Sequence, residues 1–373
     1  MSYHVKIIDD KSGWKDFLDV PDLVYLNDTK WVSPLDSEII RSLDPEKNPY
    51  FINAEVQKFV CYAAGKPIAR CIVVINKNHW LKFGCKVGFF GFFEAIDDKE
   101  AVSALFAEVT DYCFLKGCEI LEGPFNPNHY SELGLLVENY SEPVFFETYN
   151  PDYYSVLLTT AGFKLDKILH TRVNKDAKKY INNKPENDLA KVKKKGYQIR
   201  PFSLLHMKRD LECIREVYND AFAENWHFMS LSEEEYSFSA KSLFLVTKPE
   251  LIQIVEHYGK PVGVLQCMPN VNPLLKTMKG SPDLLDVIRF LWNRRYVNEI
   301  VIFAVGIKKS YQKGIVFLMI FEALRKMVQR YPVLYTTWMT EDNIPAIKAS
   351  ESFGLTPYKW FGIYSKSLIK DMK

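Results

Sequence analysis

The chain has 373 residues, 47% hydrophobic and 25% charged. That is the composition of a folded globular protein, too long for one ordinary core, so two domains are expected. The net charge of +2 is too small for the dense basic stripe of a DNA-binding surface, and no partner of that kind is expected. No apolar run approaches the ~18 residues of a membrane span, and the start, MSYHVKIIDD, has no basic flank leading into an apolar stretch. A cytoplasmic protein without a membrane partner is the expectation. Seven scattered cysteines read as free thiols in a reducing compartment. His-x3-His, His-x-His and Cys-x2-Cys spacings are absent, so no metal site is expected.

In chain order, residues 3–10 alternate as a strand, and 11–27 read as a helix, or two short ones broken before Pro21. Residues 30–51 mix helix with proline turns, and 55–76 form a hairpin turning at Gly65-Lys66-Pro67. A strand follows at 86–96, whose Phe89, Phe90, Phe92 and Phe93 imply burial on both faces. An amphipathic helix at 98–117, a strand at 118–125 and a short helix at 149–163 complete the first half.

The second half repeats that order. It has a strand at 197–203, helices at 206–226 and 232–244 (the latter capped by Ser232), and a hairpin at 251–269 turning at Gly259-Lys260-Pro261. A strand at 299–307, a helix at 314–331, a strand at 333–339, a short helix at 343–354 and a strand at 358–366 follow. Asn150-Pro151 to Gly162-Phe163 is echoed by Asn343-Ile344-Pro345 to Gly354-Leu355. One unit is written twice, over residues 1–172 and 197–373, joined by the polar stretch 173–196.

This order resembles the GCN5-related N-acetyltransferase superfamily, whose fold binds acyl-coenzyme A. The stretches NPYFINAEVQKFV, VGFFGFFEA, GPFNPNHYSELGLLV with YNPDYY, and ENW with MPNVN resemble an uncharacterised bacterial family with two such domains. The resemblance implies an α/β fold of the α+β mixed-sheet kind: two tandem acyl-CoA N-acyltransferase-like domains, each a mostly antiparallel twisted sheet flanked by helices. It also implies acetyl-CoA or another acyl-CoA as cofactor and a small-molecule or peptide amine as acceptor.

The superfamily's phosphate loop, Gln/Arg-x-x-Gly-x-Gly/Ala, is matched in its middle by Lys313, Gly314 and Ile315. Its Gln/Arg position falls on Tyr311 with no gap or on Gln312 if the loop is one residue short, and Val316 stands at the last small position. Free N–H groups at a helix start attract anions, and glycine lets the backbone come close. The resemblance assigns the pantetheine arm and the oxyanion to the strand at Val305, Gly306 and Ile307, and includes Asn343 in the cofactor site. Charge supports the second half as the anion site. Residues 1–165 hold 15 Lys+Arg against 24 Asp+Glu, and residues 166–373 hold 33 against 22. Between Glu299 and Glu322 there is no acid, whereas Glu94, Asp97, Asp98 and Glu100 stand at the equivalent place in the first half.

Amide formation from a thioester needs a base for the amine and an acid or stabiliser for the thiolate. Glu341 and Asp342, after the penultimate strand, are candidate bases, though acids also belong at a helix start. Ser350 occupies the place of the superfamily's tyrosine acid, and its hydroxyl is a poor acid. Tyr311 is an alternative, with Tyr335 and Tyr358 also available. His227 in ENWHFM and the polar pair His129 and Glu132 are candidate substrate contacts. Two other readings stay open. One is an aminoacyl-tRNA-dependent peptidyl transferase-like enzyme, compatible with the basic second half, and only this one brings in tRNA. The other is a non-catalytic binding module on the same scaffold.

Overall fold

The computed structural model describes residues 2–8, 11–186, 189–243, 246–312 and 314–369. Asp9, Asp10 and Phe244, at the ends of two predicted elements, lie outside the described residues, and so does Lys313 of the candidate phosphate loop.

The first half runs β1 (Tyr3–Ile8), α1 (Lys11–Val24), α2 (Asp36–Leu43), β2 (Ala54–Ala63), β3 (Lys66–Asn76), α3 (Lys77–Phe83), β4 (Val87–Ala95) and α4 (Lys99–Leu115). It continues with β5 (Ile120–Gly123), the short β6 (Phe125–Asn126), β7 (Glu132–Leu133) and β8 (Leu135–Glu138), then α5 (Tyr154–Thr160) and β9 (Lys164–Asn174). After α6 (Ala177–Asn182) and α7 (Leu189–Lys193), the second half has β10 (Tyr197–Pro201), α8 (Met207–Ala221), α9 (Glu233–Leu243), β11 (Ile252–His257) and β12 (Lys260–Pro269). Then come α10 (Asn272–Leu275), α11 (Leu284–Asn293), β13 (Glu299–Ile307), α12 (Ile315–Met327), β14 (Val333–Thr336), β15 (Met339–Thr340), α13 (Ile344–Ser352) and β16 (Thr356–Ser367).

Two compact units result: Met1–His170 with Lys279–Ser281 and Lys359–Lys373, and Thr171–Met278 with Pro282–Tyr358. The strand order in the first is β1-β2-β3-β4-β5-β16, and in the second β10-β11-β12-β13-β14-β9. In both, every pairing is antiparallel except one, β4 with β5 and β13 with β14. Each unit closes with the last strand of the other half. Tyr364 to Ser367 of β16 pair with Gly123 to Ile120 of β5, and Val173 and Asn174 of β9 pair with Tyr335 and Leu334 of β14. Each unit has its own core. One gathers Phe90, Phe106, Tyr154 and Phe163 between β4, α4 and α5, and the other Met319, Ile320 and Leu324 of α12 with Leu265, Ile300 and Leu334. Ala177, Ile181 and Val192, from the stretch expected to be a polar joint, are buried in the second core.

Of the two readings of residues 11–27 the single helix holds: α1 runs unbroken through Pro21. A helical proline has no N–H for the carbonyl four residues back, and here the Arg70 guanidinium donates to that orphan, the Phe17 oxygen, at 2.6 Å. Both hairpins turn one step earlier than expected, at Ala64-Gly65 and Tyr258-Gly259, where both central residues have positive φ, as a two-residue hairpin loop requires. Pro67 and Pro261 then fall at matching register shifts, opposite Tyr62 and Glu256. Ser232 caps α9 as expected: its Oγ accepts from Glu235 N at 3.1 Å and the Glu235 carboxylate accepts from Ser232 N at 2.8 Å. Helices α3 and α11 have no counterpart in the sequence reading. No helix among the described residues is long and apolar enough to cross a membrane.

Candidate functional site

In the second unit β13 and β14 separate. Their register runs from Glu299↔Val333 to Ile302↔Thr336 and stops. The separation is pinned at its base by Thr337, whose N–H donates to Ile302 O at 3.2 Å and whose hydroxyl donates to Phe303 O at 3.0 Å. On its other edge β13 stays paired with β12 out to Ile307↔Gly263, with a register shift at Gln266/Cys267 that leaves Phe303 outside the pairing. Residues 304–307 therefore carry a strand edge with no strand partner among the described residues. Such an edge presents N–H and C=O groups to an extended ligand, in the manner of strand addition. The strand is covered on both faces: a Cβ on Gly306 would lie 3.2 Å from Val217 of α8, and Val305 and Ile307 pack against the core cluster that includes Val316 of α12.

The strand leads through Lys308 to Gln312 into α12. Gly314 occupies the N-cap position with φ +89°, and it has no side chain to cap the helix. A Cβ built on Gly314 would meet nothing within 4 Å. Among the described residues the first-turn amides are given no capping side chain, which is the condition for anion binding at a helix start.

The charge around this mouth is not what the local sequence suggests. Lys308 pairs with Glu216 and Lys309 with Glu224, the second at 2.6 Å, and the Lys309 amide donates to Asp220 at 2.7 Å. All three acids belong to α8 or the residues just after it, some ninety positions away in sequence. Gln312 Nε2 reaches Ile307 O at 3.5 Å.

The first unit has the same parallel pair and the same divergence, after Phe89↔Glu122. Here the gap is filled by the chain itself. The Asn126 side-chain oxygen accepts from Phe92 N at 2.6 Å, and Phe125 O lies 1.6 Å from where a Cβ on Gly91 would be. The helix mouth is also filled: the Asp98 carboxylate accepts from the N–H groups of Glu100 and Ala101, both at 3.0 Å, and the Tyr3 hydroxyl donates to it at 2.7 Å. Glu94 is turned inward, accepting from Tyr25 at 2.8 Å and Tyr154 at 2.7 Å, so it does not stand at the mouth.

The remaining candidates are placed as follows. The Tyr311 hydroxyl is 3.1 Å from His257 Nδ1, and His257 stacks on Tyr197 with centroids 4.0 Å apart. Ser350 is buried and donates to Ile347 O of its own helix at 2.6 Å. The Asn343 side chain caps α13, accepting from Ala346 N at 3.2 Å. Glu341 and Asp342 are exposed in the turn between β15 and α13. Tyr335 is buried in β14 with its ring 5.7 Å from Tyr358. His227 is buried beside Trp226 and has φ +56°, a left-handed conformation that costs a non-glycine residue on the order of 1–2 kcal/mol. His129 is buried against Tyr130 in the first unit. Glu132 pairs in register with Asn126, and burial alone pushes its carboxyl up to about 7.

Sequence reasoning missed one polar group. Gln266, at the register shift beside β13, accepts a hydrogen bond from the Tyr218 hydroxyl of α8 and donates to the Tyr236 hydroxyl of α9 at 3.2 Å. All three residues are buried, and burial holds both phenols well above their ordinary value, so they are neutral hydrogen-bonding groups. No local pattern marks them, because they lie on three separate elements.

No family model matches the chain. A tandem GNAT (GCN5-related N-acetyltransferase) protein from the clavulanic acid biosynthesis pathway superposes with a TM-score of 0.60, over 99% of this chain and 100% of its own, at 10% identity. A GCN5-related N-acetyltransferase from Sphaerobacter thermophilus does so with a TM-score of 0.53, over 100% and 97%, also at 10% identity. The chain has the tandem GCN5-related N-acetyltransferase fold. Full-length sequence relatives are more specific. A bacterial ceramide synthase from Caulobacter vibrioides is 28% identical, over 95% of this chain and 94% of that protein. Protein YghO from Escherichia coli K12 is 25% identical, over 96% and 94%.

Proposed function

We propose that the protein is an acyl-CoA-dependent N-acyltransferase whose coenzyme site lies in the second unit, and whose acceptor is the amine of a long-chain amino alcohol. The observation that carries the coenzyme site is the coincidence of two features among the described residues: the partnerless strand edge at 304–307 and a start of α12 whose N-cap is Gly314, with open space where its Cβ would lie. The first fits an extended pantetheine arm and the second a diphosphate. The acceptor follows from the full-length likeness to a ceramide synthase, since a ceramide is the amide of a fatty acid with a long-chain amino alcohol.

In this reading the thioester supplies an activated carbonyl. Lys308 N donates to Val262 O of β12, so by antiparallel alternation Gly306 is also bonded to β12, and Val305 and Ile307 turn their backbone groups to the free edge. These two hold the arm, and the Ile307 N–H stabilises the oxyanion. Ile315, at the first helical position, supplies a first-turn amide to the phosphates, while the Gly314 N–H donates to Gln312 O at 3.2 Å. With Lys308 and Lys309 committed to α8 acids, backbone amides carry most of that task. Glu341 or Asp342 takes the proton from the amine. Ser350, donating to Ile347, provides no acid, so the thiolate leaves without a dedicated proton donor. Tyr218, Gln266 and Tyr236 fix the register shift at the base of the partnerless edge.

The same Ser350 and the same lysine pairs favour a second reading, a binding module that has lost turnover. Incubation with acetyl- and palmitoyl-CoA and a long-chain 2-amino-1,3-diol, with products read by mass spectrometry, separates the two. Amide that appears with the native chain and disappears with Gly314→Glu supports the enzyme. Coenzyme binding without amide from any acyl donor supports the module.

A further inference from the structure

The connection between hairpin and parallel strand is ten residues in the first unit (77–86) and twenty-nine in the second (270–298). The longer one carries α11, LLDVIRFLWN, and its 3-10 continuation Arg294–Tyr296. Of α11 only Phe290 is buried. Leu284, Leu285, Ile288, Trp292 and Tyr296 are 75%, 59%, 54%, 61% and 68% exposed. At 3.6 residues per turn Leu284, Leu285, Ile288 and Trp292 share one face, with Leu291 beside them, while Asp286, Arg289 and Asn293 share the other. A helix with this much apolar surface turned to water has a docking face without its partner.

Charge decides what that partner is. Residues 270–298 hold Lys276, Lys279, Arg289, Arg294 and Arg295 against Asp283 and Asp286, a balance of +3. The two acids form the helix's capping box, and Asp286 also pairs with Arg289 at 3.7 Å. Arg330 is brought to the same end by a hydrogen bond to Arg295 O at 3.1 Å. The Arg295 guanidinium stacks over Trp292 at 3.5 Å and lies 4.8 Å from the Tyr296 ring, with a 2.8 Å bond to the Tyr296 hydroxyl. Apolar face, aromatic shoulder and arginine rim are the parts of a helix that lies in the headgroup plane. A second copy is a poor occupant. One face of a ten-residue helix is well short of the ~800 Å² per partner of a stable interface.

We propose that α11 and Arg294–Tyr296 dock the protein on an anionic lipid bilayer, lying on its surface without crossing it. The sequence reading looked only for spanning helices, and a ten-residue helix is too short to register in such a search. The proposal does not depend on the acyl-transfer reading, because it is tested without coenzyme or acceptor.

The test is co-sedimentation of the full-length chain with vesicles of phosphatidylcholine alone or with a third phosphatidylglycerol. The native protein should partition onto the anionic vesicles and be released by high salt. Ile288→Asp with Trp292→Asp should lower partitioning by about tenfold or more. Arg294→Glu with Arg295→Glu should lower it by about fivefold or more per site. All four positions lie outside the cores, so thermal unfolding midpoints should stay unchanged and show that both variants fold. Any of three results overturns the proposal: no native binding to anionic vesicles, equal binding to neutral ones, or native-level binding by the apolar variant. Light scattering showing a dimer that the apolar variant loses, with no vesicle binding by either, would assign the face to a second copy instead.

Discussion

The two units build the same gap between a parallel pair of strands and the same helix after it, then treat them in opposite ways. In the first, Asn126 and Phe125 occupy the gap and Asp98 occupies the helix mouth. In the second, the strand edge past Ile302 has no strand partner among the described residues, and Gly314 leaves the mouth of α12 uncapped. The difference teaches that one scaffold can satisfy its backbone groups internally, which leaves them nothing to offer a ligand and stabilises the fold instead, or leave the same groups open.

The comparison breaks most visibly at its glycines. Gly91→Ala puts a Cβ 1.6 Å from Phe125 O, so the filled gap must be forced apart, with an expected loss above about 4 kcal/mol in urea unfolding. Gly314→Ala meets no atom within 4 Å and carries only the left-handed backbone cost, about 1–2 kcal/mol. Similar losses at the two positions would contradict the account of one gap as filled and the other as open.

The segment filling the first gap is backed by Glu132, whose carboxyl burial moves from 4.5 to about 7. Between those values the unfolded chain holds a carboxylate while the folded chain holds the acid. Stability therefore falls as pH rises through that window and is level above it. Glu132→Gln should flatten this part of the stability–pH curve and raise stability at pH 8 by up to about 3 kcal/mol. An unchanged pH profile would show that the side chain is well solvated. The smallest effect is expected at the filled mouth: Asp98→Ala removes a cap for about 1 kcal/mol by thermal unfolding.

Much of the fold was legible in the sequence, because hydrophobic period and Gly/Pro/Asn punctuation are local signals. The doubled order of elements, the Ser232 cap and the strand leading to Gly314 could all be read that way. What escaped was carried by long-range partners. The sequence leaves open whether Pro21 breaks α1, and Arg70, forty-nine positions on, supplies the donor that Pro21 lacks. The acid-free run from Glu299 to Glu322 looked strongly cationic until Glu216, Asp220 and Glu224 were folded against it. The Tyr218–Gln266–Tyr236 group had no spacing to betray it, and the exchange of last strands between units left no local mark. α11 escaped for a different reason: its apolar residues are not core, so a search for buried elements had no use for them.

The direct test of the central claim is calorimetric titration of the full-length protein with coenzyme A. One site per chain is expected, weakened by about a hundredfold or more in Gly314→Glu, where a carboxylate faces the amides meant for phosphate, and unaltered in Asp98→Ala. Two sites per chain, or loss of binding in Asp98→Ala with Gly314→Glu unaffected, would contradict it.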